Sequence, residues 1–214
     1  MRFFDHNATT PLFPEAKAAW MEANEAHWFN PSSPYRAGAA AHAQLENARE
    51  RLASLLSLAP TRIIFNSGAT EGNNTVFATW AARLGKDSTV AVGMTEHPSV
   101  LEAAGRYFEG RIEWQEPSRE GVTHPNASLA EDVSAISIMA ANNETGVLNP
   151  WQDWIEFCRA RGIPMHCDAS QWIGKMPLDL LSGCDYVTGC AHKFGGPKGV
   201  GFLIVPEGEV LGFA

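Results

Sequence analysis

Apolar residues are arranged along the chain in amphipathic segments that alternate with short apolar blocks. In the segment from Ala37 to Leu58, apolar positions recur at steps of three and four, which predicts an amphipathic helix. Further helices are predicted at residues 71–84, 100–108 and 151–161. The last of these stops at Gly162, because glycine adopts the backbone conformations that end a helix.

Short apolar blocks between the helices predict a sheet. Seven strands are expected, at residues 62–65, 89–92, 111–114, 133–139, 163–167, 185–188 and 200–205. The block 133–139 is apolar and partly β-branched, as a buried central strand requires. Because strands and helices alternate, we expect an α/β fold, a three-layer α/β/α sandwich built on a mostly parallel seven-stranded sheet.

Composition and charge narrow the class of protein. The chain has 214 residues, of which 24 are acidic and 16 are basic, so its net charge is −8. This balance, without a run of Lys or Arg, argues against binding to nucleic acid or to an anionic membrane. No apolar stretch reaches the roughly 20 residues that cross a bilayer. Asp5 and His6 lie where a signal peptide needs its apolar core, so we expect a cytoplasmic protein.

The cysteines give no sign of a metal or redox site. They lie at Cys158, Cys167, Cys184 and Cys190 and form no CxxC pair. These spacings match neither a zinc site nor a redox motif, and no metal site is predicted. For the first three, we expect buried thiols that act as small apolar residues.

Polar clusters follow the predicted strands, and in open α/β sheets ligand sites form at these strand ends. Residues 66–72 (Asn-Ser-Gly-Ala-Thr-Glu-Gly) open a helix, so their backbone N–H groups and the Thr70 hydroxyl are suited to bind an anion. An ordinary helix cap explains this segment equally well. Further clusters lie at residues 96–99, 142–146, 168–171 and 190–193.

Nucleotide-binding motifs do not account for these clusters. GxGxxG does not occur among them, and Gly85-Lys86 and Gly174-Lys175 lack the first glycine and the final Ser or Thr of a Walker A loop. An anion pocket, a carboxylate, an aromatic platform and a lysine near a glycine-rich turn are instead what pyridoxal phosphate requires. The lysine forms a Schiff base with this cofactor, and the carboxylate pairs with its ring nitrogen.

Seven stretches of the chain resemble motifs of the cysteine desulfurases, in the class V aminotransferase branch of the fold-type I pyridoxal phosphate enzymes. They occur in the family's order at residues 5–12, 30–33, 67–71, 95–99, 142–146, 168–171 and 191–199. The resemblance implies that residues 31–214 form the cofactor-binding large domain. It also implies that residues 1–30 belong with a small C-terminal domain that this chain lacks.

The same resemblance implies the catalytic residues. Lys193 would carry the cofactor as a Schiff base and later act as the base on the substrate Cα. His97 would stack on the pyridine ring and assist proton transfer, and Asp168 would keep the ring nitrogen protonated.

Other residues would bind the cofactor without taking part in proton transfer. Gln171 would hydrogen-bond the phenolic oxygen, and Asn143 would lie beside the ring near the substrate carboxylate. The phosphate would be held by Ala69, Thr70, Cys190 and His192.

Cys190 departs from the family pattern, which typically has a serine there. A thiol is a weaker hydrogen-bond donor than a hydroxyl, so we expect a somewhat lower phosphate affinity. The alternative, a nucleophilic Cys190, is disfavoured because a phosphate pocket lowers the availability of the thiolate.

The reaction implied by the resemblance removes sulfur from L-cysteine and yields alanine and a persulfide on an enzyme cysteine. The implied partners are a second copy of the chain, in a homodimer, and a sulfur-acceptor protein, for example in iron–sulfur cluster assembly. A selenocysteine lyase or a cysteine sulfinate desulfinase would use nearly the same residues. An alternative of another class is a non-catalytic pyridoxal phosphate-binding or scaffold domain, although retention of Lys193, Asp168, Gln171 and His97 counts against it.

Family members are about twice the length of this chain, and their nucleophilic cysteine lies in the part without a counterpart here. Three explanations remain open at this point. The chain is one piece of a longer enzyme, which we favour, or half of a split enzyme completed by a separate C-terminal polypeptide, or a stand-alone domain.

Overall fold

A computed structural model describes residues 2–126, 128–179 and 181–212. Within these ranges, seven strands form one sheet. They are β1 (Ile63–Asn66), β2 (Thr89–Gly93), β3 (Ile112–Gln115), β4 (Val133–Ser137), β5 (Met165–Asp168), β6 (Tyr186–Cys190) and β7 (Gly201–Ile204). Their order across the sheet is β1-β7-β6-β5-β4-β2-β3. Strand β7 is antiparallel to both of its neighbours and all other pairs are parallel, which confirms the mostly parallel sheet.

Helices cover both faces of this sheet. The α-helices in the described residues are α1 (Pro14–Ala26), α2 (Arg36–Leu55), α3 (Ala69–Arg83), α4 (Pro98–Phe108) and α5 (Trp151–Arg161). On one face, α3 and α4 pack against Val90 and Val92. On the other, α2 and α5 pack in a second apolar cluster that includes Ala91. Because successive strand residues point to opposite faces, β2 contributes to both cores, and the three-layer sandwich is confirmed.

The bounds of the elements differ from the sequence expectation by up to three residues, and one helix was not predicted. Helix α2 ends at Leu55, and Ser57 follows it with a positive φ of 54°. Strand β4 ends at Ser137, although hydrogen bonds to the β5 side continue from the N–H groups of Ile138 and Ala140. Helix α1 was not predicted, although Ala16, Ala19, Trp20 and Ala23 are spaced as on one helix face, and none of its residues is buried.

This topology brings the carboxyl ends of β4, β5 and β6 to the edge of the sheet where α3 and α4 begin. The short turn that follows β6, Ala191–Lys193, is a 3-10 helix that lies at the same edge. Among the described residues, no helix has the length and apolar character that crossing a membrane requires.

Candidate functional site

A cavity of about 590 Å³ lies at this edge of the sheet. All nine residues predicted to bind a cofactor line it: Ala69, Thr70, His97, Asn143, Asp168, Gln171, Cys190, His192 and Lys193. They come from separate stretches of the chain that meet only in the folded state. Their proximity agrees with the sequence analysis, and their individual roles toward a cofactor stay predictions.

The first turn of α3 forms one end of the cavity. Gly68 precedes this helix with a φ of 150°, a conformation that favours glycine. The backbone N–H and the hydroxyl of Ser67 both donate to Glu71 Oε2, at 2.8 and 2.5 Å, and these bonds lower the pKa of Glu71. The N–H groups of the first helical turn lack acceptors within the helix, and with the helix dipole they favour an anion here.

Asp168 lies at the last position of β5 and is only 4% exposed. Its Oδ1 accepts a hydrogen bond from the backbone N–H of Ser170 at 3.0 Å, and its Oδ2 accepts one from Asn73 Nδ2 at 2.9 Å. Two neutral donors from two different elements therefore fix the orientation of this carboxylate at the cavity wall.

His97 is the N-cap of α4, and its exposed ring faces the cavity. The ring nitrogen Nδ1 accepts a hydrogen bond from the backbone N–H of Ser99 at 3.1 Å. His97 follows strand β2, as predicted, and the start of helix α4 holds its side chain.

Lys193 lines the cavity together with Ala8 and Thr9 of the N-terminal segment. Its ammonium group donates to the carbonyls of Asn7 and Ala8. The Asn7 carbonyl also accepts a bond from Gln171 Nε2 at 2.8 Å. The N-terminal segment therefore contacts two of the predicted cofactor residues through a single backbone oxygen.

A second lysine supports Gln171. Lys175 Nζ donates to Gln171 Oε1 at 2.5 Å and to Asn7 Oδ1 at 3.2 Å. Burial and the positive charge of Lys193 lower the pKa of Lys175. Since Lys175 donates to the amide oxygen of Gln171, the orientation of the amide is fixed and Nε2 is the donor, with one bond to the Asn7 carbonyl.

Thr9 and the segment after it pack on the loop that carries His192. Thr10 donates to the His192 carbonyl from its N–H at 2.8 Å and from its hydroxyl at 2.9 Å. His192 Nδ1 lies 3.2 Å from the hydroxyl of Thr9. Burial, together with the charges of Lys193 and Lys198, lowers the pKa of His192, so its neutral form is favoured.

All four cysteines are buried, as expected for the first three, and Cys190 is the one that lines the cavity. Burial raises the pKa of the Cys190 thiol, although the neighbouring Ser170 side chain, the charge of Lys193 and the Ala69 backbone act in the opposite direction. A protonated thiol is a poor nucleophile, so the raised pKa argues against a nucleophilic role for Cys190.

Sequence reasoning missed Asn7, Asn73, Ser99 and Lys175 as site residues. Asn7 and Ser99 lie in stretches that matched the family, so a signal was present for both. For Asn73, the signal was its position one turn after Ala69 on α3. Within the part of the chain that the structure describes, no three His, Cys, Asp or Glu side chains are grouped to hold a metal ion.

Comparison with known proteins identifies relatives of this chain in sequence and in structure. Residues 2–211 match the aminotransferase class-V family. A cysteine desulfurase of Enterobacter agglomerans is 38% identical over 208 residues, which cover 94% of this chain and 52% of that protein. A solved structure described as a NifS-like protein has a TM-score of 0.91 and 33% identity, covering 98% of this chain and 60% of that one.

A second solved structure, described as SspA in complex with cysteine, has a TM-score of 0.88 and 28% identity and covers 96% of this chain and 61% of that one. The chain spans about half the length of the curated relatives it matches. Because the family match extends over nearly the whole sequence, this chain belongs to the class-V aminotransferase family.

Proposed function

We propose that this chain forms the cofactor-binding part of a pyridoxal phosphate-dependent cysteine desulfurase, which converts L-cysteine to L-alanine and transfers the sulfur to a thiol. One observation carries the proposal. Nine residues expected to bind this cofactor, from separate stretches of the chain, line a single cavity. The relatives named as cysteine desulfurases, and the structural relative described with cysteine bound, support the choice of substrate.

The residues around the cavity fit the cofactor in size and in chemistry. The volume of the cavity, about 590 Å³, lies within the range of small-molecule sites. The first turn of α3 suits a phosphate, and the Asp168 carboxylate suits a protonated ring nitrogen. The buried Ser170 hydroxyl has no hydrogen-bond partner among the described residues, so the cavity offers a polar group that a ligand can satisfy.

The residues of this chain divide the work at the reacting centre. When bound, pyridoxal phosphate supplies an electron-withdrawing ring that weakens the Cα–H bond of an attached amino acid. Lys193 would hold the cofactor and, once released by the substrate amine, would move the Cα proton. Asp168 would hold the proton on the ring nitrogen, because its two hydrogen bonds keep the carboxylate in place. His97 would stack on the ring and assist proton transfer.

Gln171 and Asn143 would orient the cofactor and the substrate. Gln171 would donate to the phenolic oxygen, an orientation that Lys175 supports by occupying the amide oxygen. Ala69, Thr70, Cys190 and His192 would bind the phosphate. Since all four cysteines of this sequence are buried, we propose that the thiol that accepts sulfur is a different cysteine.

Exchange of the Cα proton tests this division of work without requiring a sulfur acceptor. The protein is incubated in D₂O with pyridoxal phosphate and L-cysteine or L-alanine, and deuterium at Cα is followed by mass spectrometry. We expect exchange in the unaltered protein and in the surface control Lys86→Ala, and a loss of at least about a hundredfold in Lys193→Ala. Equal exchange in the two variants would refute the role of Lys193.

Assembly and location belong to the same proposal. We infer a homodimer in the cytoplasm that delivers sulfur to an acceptor protein. Large apolar side chains exposed on the N-terminal segment, among them Phe4 at 84% and Trp28 at 68%, support association with another protein surface. The four free, buried cysteines are compatible with a reducing compartment.

A further inference from the structure

A continuous line of hydrogen bonds joins Asp168 to His97 behind the cavity. Asn73, which is fully buried on α3, donates from Nδ2 to Asp168 Oδ2 and to Ser99 Oγ, both at 2.9 Å. Ser99 Oγ lies 2.8 Å from His97 Nδ1. Two neutral side chains therefore connect the two groups that face the cavity from β5 and α4.

The carboxylate of Asp168 sets the orientation of the Asn73 amide. If the amide were rotated by 180°, its oxygen would face the carboxylate oxygen, and two acceptors would oppose each other. The observed orientation leaves Asn73 Oδ1 buried with no partner among the described residues. An unpaired buried carbonyl oxygen destabilises the fold. In this orientation, however, both Nδ2 hydrogens of Asn73 form hydrogen bonds, which offsets that cost.

The direction of the remaining bonds follows from this amide. Ser99 Oγ accepts from Asn73, so its own hydrogen is free to be donated to His97 Nδ1. The backbone N–H of Ser99 also donates to Nδ1, and a backbone N–H has no alternative role. Because the Ser99 N–H can only donate, Nδ1 is the acceptor and carries no proton, so the Ser99 hydroxyl donates to Nδ1 as well and the neutral imidazole carries its proton on Nε2.

We infer that Asn73 and Ser99 are positioning residues that hold His97 in its Nε2–H tautomer, so that His97 serves the cavity as a hydrogen-bond donor and not as a base. A base at Nε2 would need the other tautomer, in which Nδ1–H opposes the Ser99 N–H. The part that this donor plays in catalysis rests on the proposed function, whereas the tautomer follows from contacts within this chain.

Imidazole nitrogen spectroscopy tests the inference directly. The full chain is labelled with ¹⁵N-histidine, and long-range ¹⁵N–¹H correlations are recorded before and after pyridoxal phosphate is added. The His97 signals are those lost in His97→Gln. Nε2 couples to both carbon-bound ring protons, so the protonated nitrogen is identified. We expect protonated Nε2 in both spectra, and a protonated Nδ1 would overturn the inference.

Variants test the connecting residues. Ser99→Ala removes one donor to Nδ1, and Asn73→Ala frees the Ser99 hydroxyl to accept from Nδ1 instead. In each, we expect the ratio of Nε2–H to Nδ1–H to fall by about three- to tenfold. Asn74→Ala is the matched control, because the neighbouring Asn74 amide donates only to the Thr70 carbonyl in this structure, and it should leave the ratio unchanged.

An unchanged ratio in both Ser99→Ala and Asn73→Ala would overturn the positioning role. Should one variant fail to fold, the other decides the question, since the two remove different members of the same line. The spectrum recorded without cofactor does not depend on turnover. Its result is therefore separate from the Cα-exchange experiment that tests the proposed function.

Discussion

The side chain of Glu96 is buried, and only one of its two carboxyl oxygens forms a hydrogen bond within the described residues. Oε1 accepts a hydrogen bond from the backbone N–H of Met139, and Oε2 has no partner among the described residues. Burial, followed by the negative charge of Asp168, raises the pKa of Glu96 well above 4.5. The native protein therefore keeps this side chain protonated under conditions in which the unfolded chain ionises it.

The variant Glu96→Gln tests this protonation. Above pH 4.5 the unfolded wild type releases a proton that the native state retains, so its free energy of unfolding falls by about 1.4 kcal/mol per pH unit until the folded pKa is reached. Glutamine keeps the acceptor and has no proton to lose. We expect its stability relative to wild type to increase between pH 5 and pH 7 in urea unfolding. A difference that is constant with pH would contradict the assignment.

His166, a buried residue of strand β5, shows the opposite effect of burial on a pKa. Its ring lies 2.8 Å from Ser137 Oγ and 3.0 Å from Thr188 Oγ1, and burial lowers its pKa from 6.5 to about 4. Between pH 6.5 and pH 4 the unfolded chain binds a proton that the native ring excludes. Native stability from this group is therefore full above pH 6.5 and declines as the pH falls.

We predict that His166→Asn removes part of the acid sensitivity of the fold. Wild type should lose about 1.4 kcal/mol per pH unit from this group between pH 6.5 and pH 4. The variant should be less stable at pH 7 and should converge toward wild type at pH 4.5. Urea unfolding at several pH values measures this, with His42→Asn on the surface of α2 as the control. Parallel pH profiles for wild type and His166→Asn would rule the prediction out.

The residues around the cavity could be predicted because each cluster follows a strand, and parallel strands present their carboxyl ends at one edge. The bonds between the residues could not. No spacing in the sequence shows that the Asn73 amide on α3 meets the Asp168 carboxylate, 95 residues later. In the sequence, Lys175 cannot be distinguished from an ordinary surface lysine. Only the structure shows that it contacts Gln171.

At the scale of the elements, Gly72 lies where α3 packs against strand β6 of the sheet. A Cβ at this position would lie 2.9 Å from Thr188 Cγ2 and 3.1 Å from Asn66 Nδ2. The neighbouring helix contains Gly105, where a Cβ would meet nothing within 4 Å. Both glycines occupy helical positions, so they differ in the space around them and not in backbone conformation.

Alanine substitutions at these two glycines should have opposite effects. Gly105→Ala should stabilise the fold by about 0.5–1 kcal/mol, because alanine has the higher helix propensity. Gly72→Ala should destabilise it by about 1–3 kcal/mol, because the β-branched Thr188 must shift to admit the methyl group. Thermal and urea unfolding measure both changes. Stabilisation by both substitutions would show that α3 lies farther from the sheet than described.

The elements that packing determines were predicted, and the one that packing does not determine was missed. Helices α2 to α5 each place apolar side chains in a core, and their sequences carry the corresponding stripe. Helix α1 buries none of its residues, so the apolar positions Ala16, Ala19 and Ala23 face no core and Trp20 and Met21 remain exposed.

At the scale of the whole molecule, the exposed apolar side chains of the N-terminal segment favour association of two copies of the chain. We predict that the purified protein sediments as a homodimer, at twice the 23.2 kDa of the chain. Replacement of both Phe4 and Trp28 by serine should weaken the dimer at least about tenfold, because the two substitutions remove apolar area that the dimer interface would bury. Trp114→Ser, on the edge strand β3, is the control. A wild-type monomer at micromolar concentration would contradict the prediction.

The central claim is that Lys193 is the residue that binds pyridoxal phosphate in this cavity. The most direct test is to add the cofactor, reduce the sample with borohydride and locate the modified residue by peptide mass spectrometry. A pyridoxyl group on Lys193, retained in Lys86→Ala and lost in Lys193→Ala, is the expected result. An unmodified protein, or modification of Lys175 or Lys198 in place of Lys193, would contradict the proposed site.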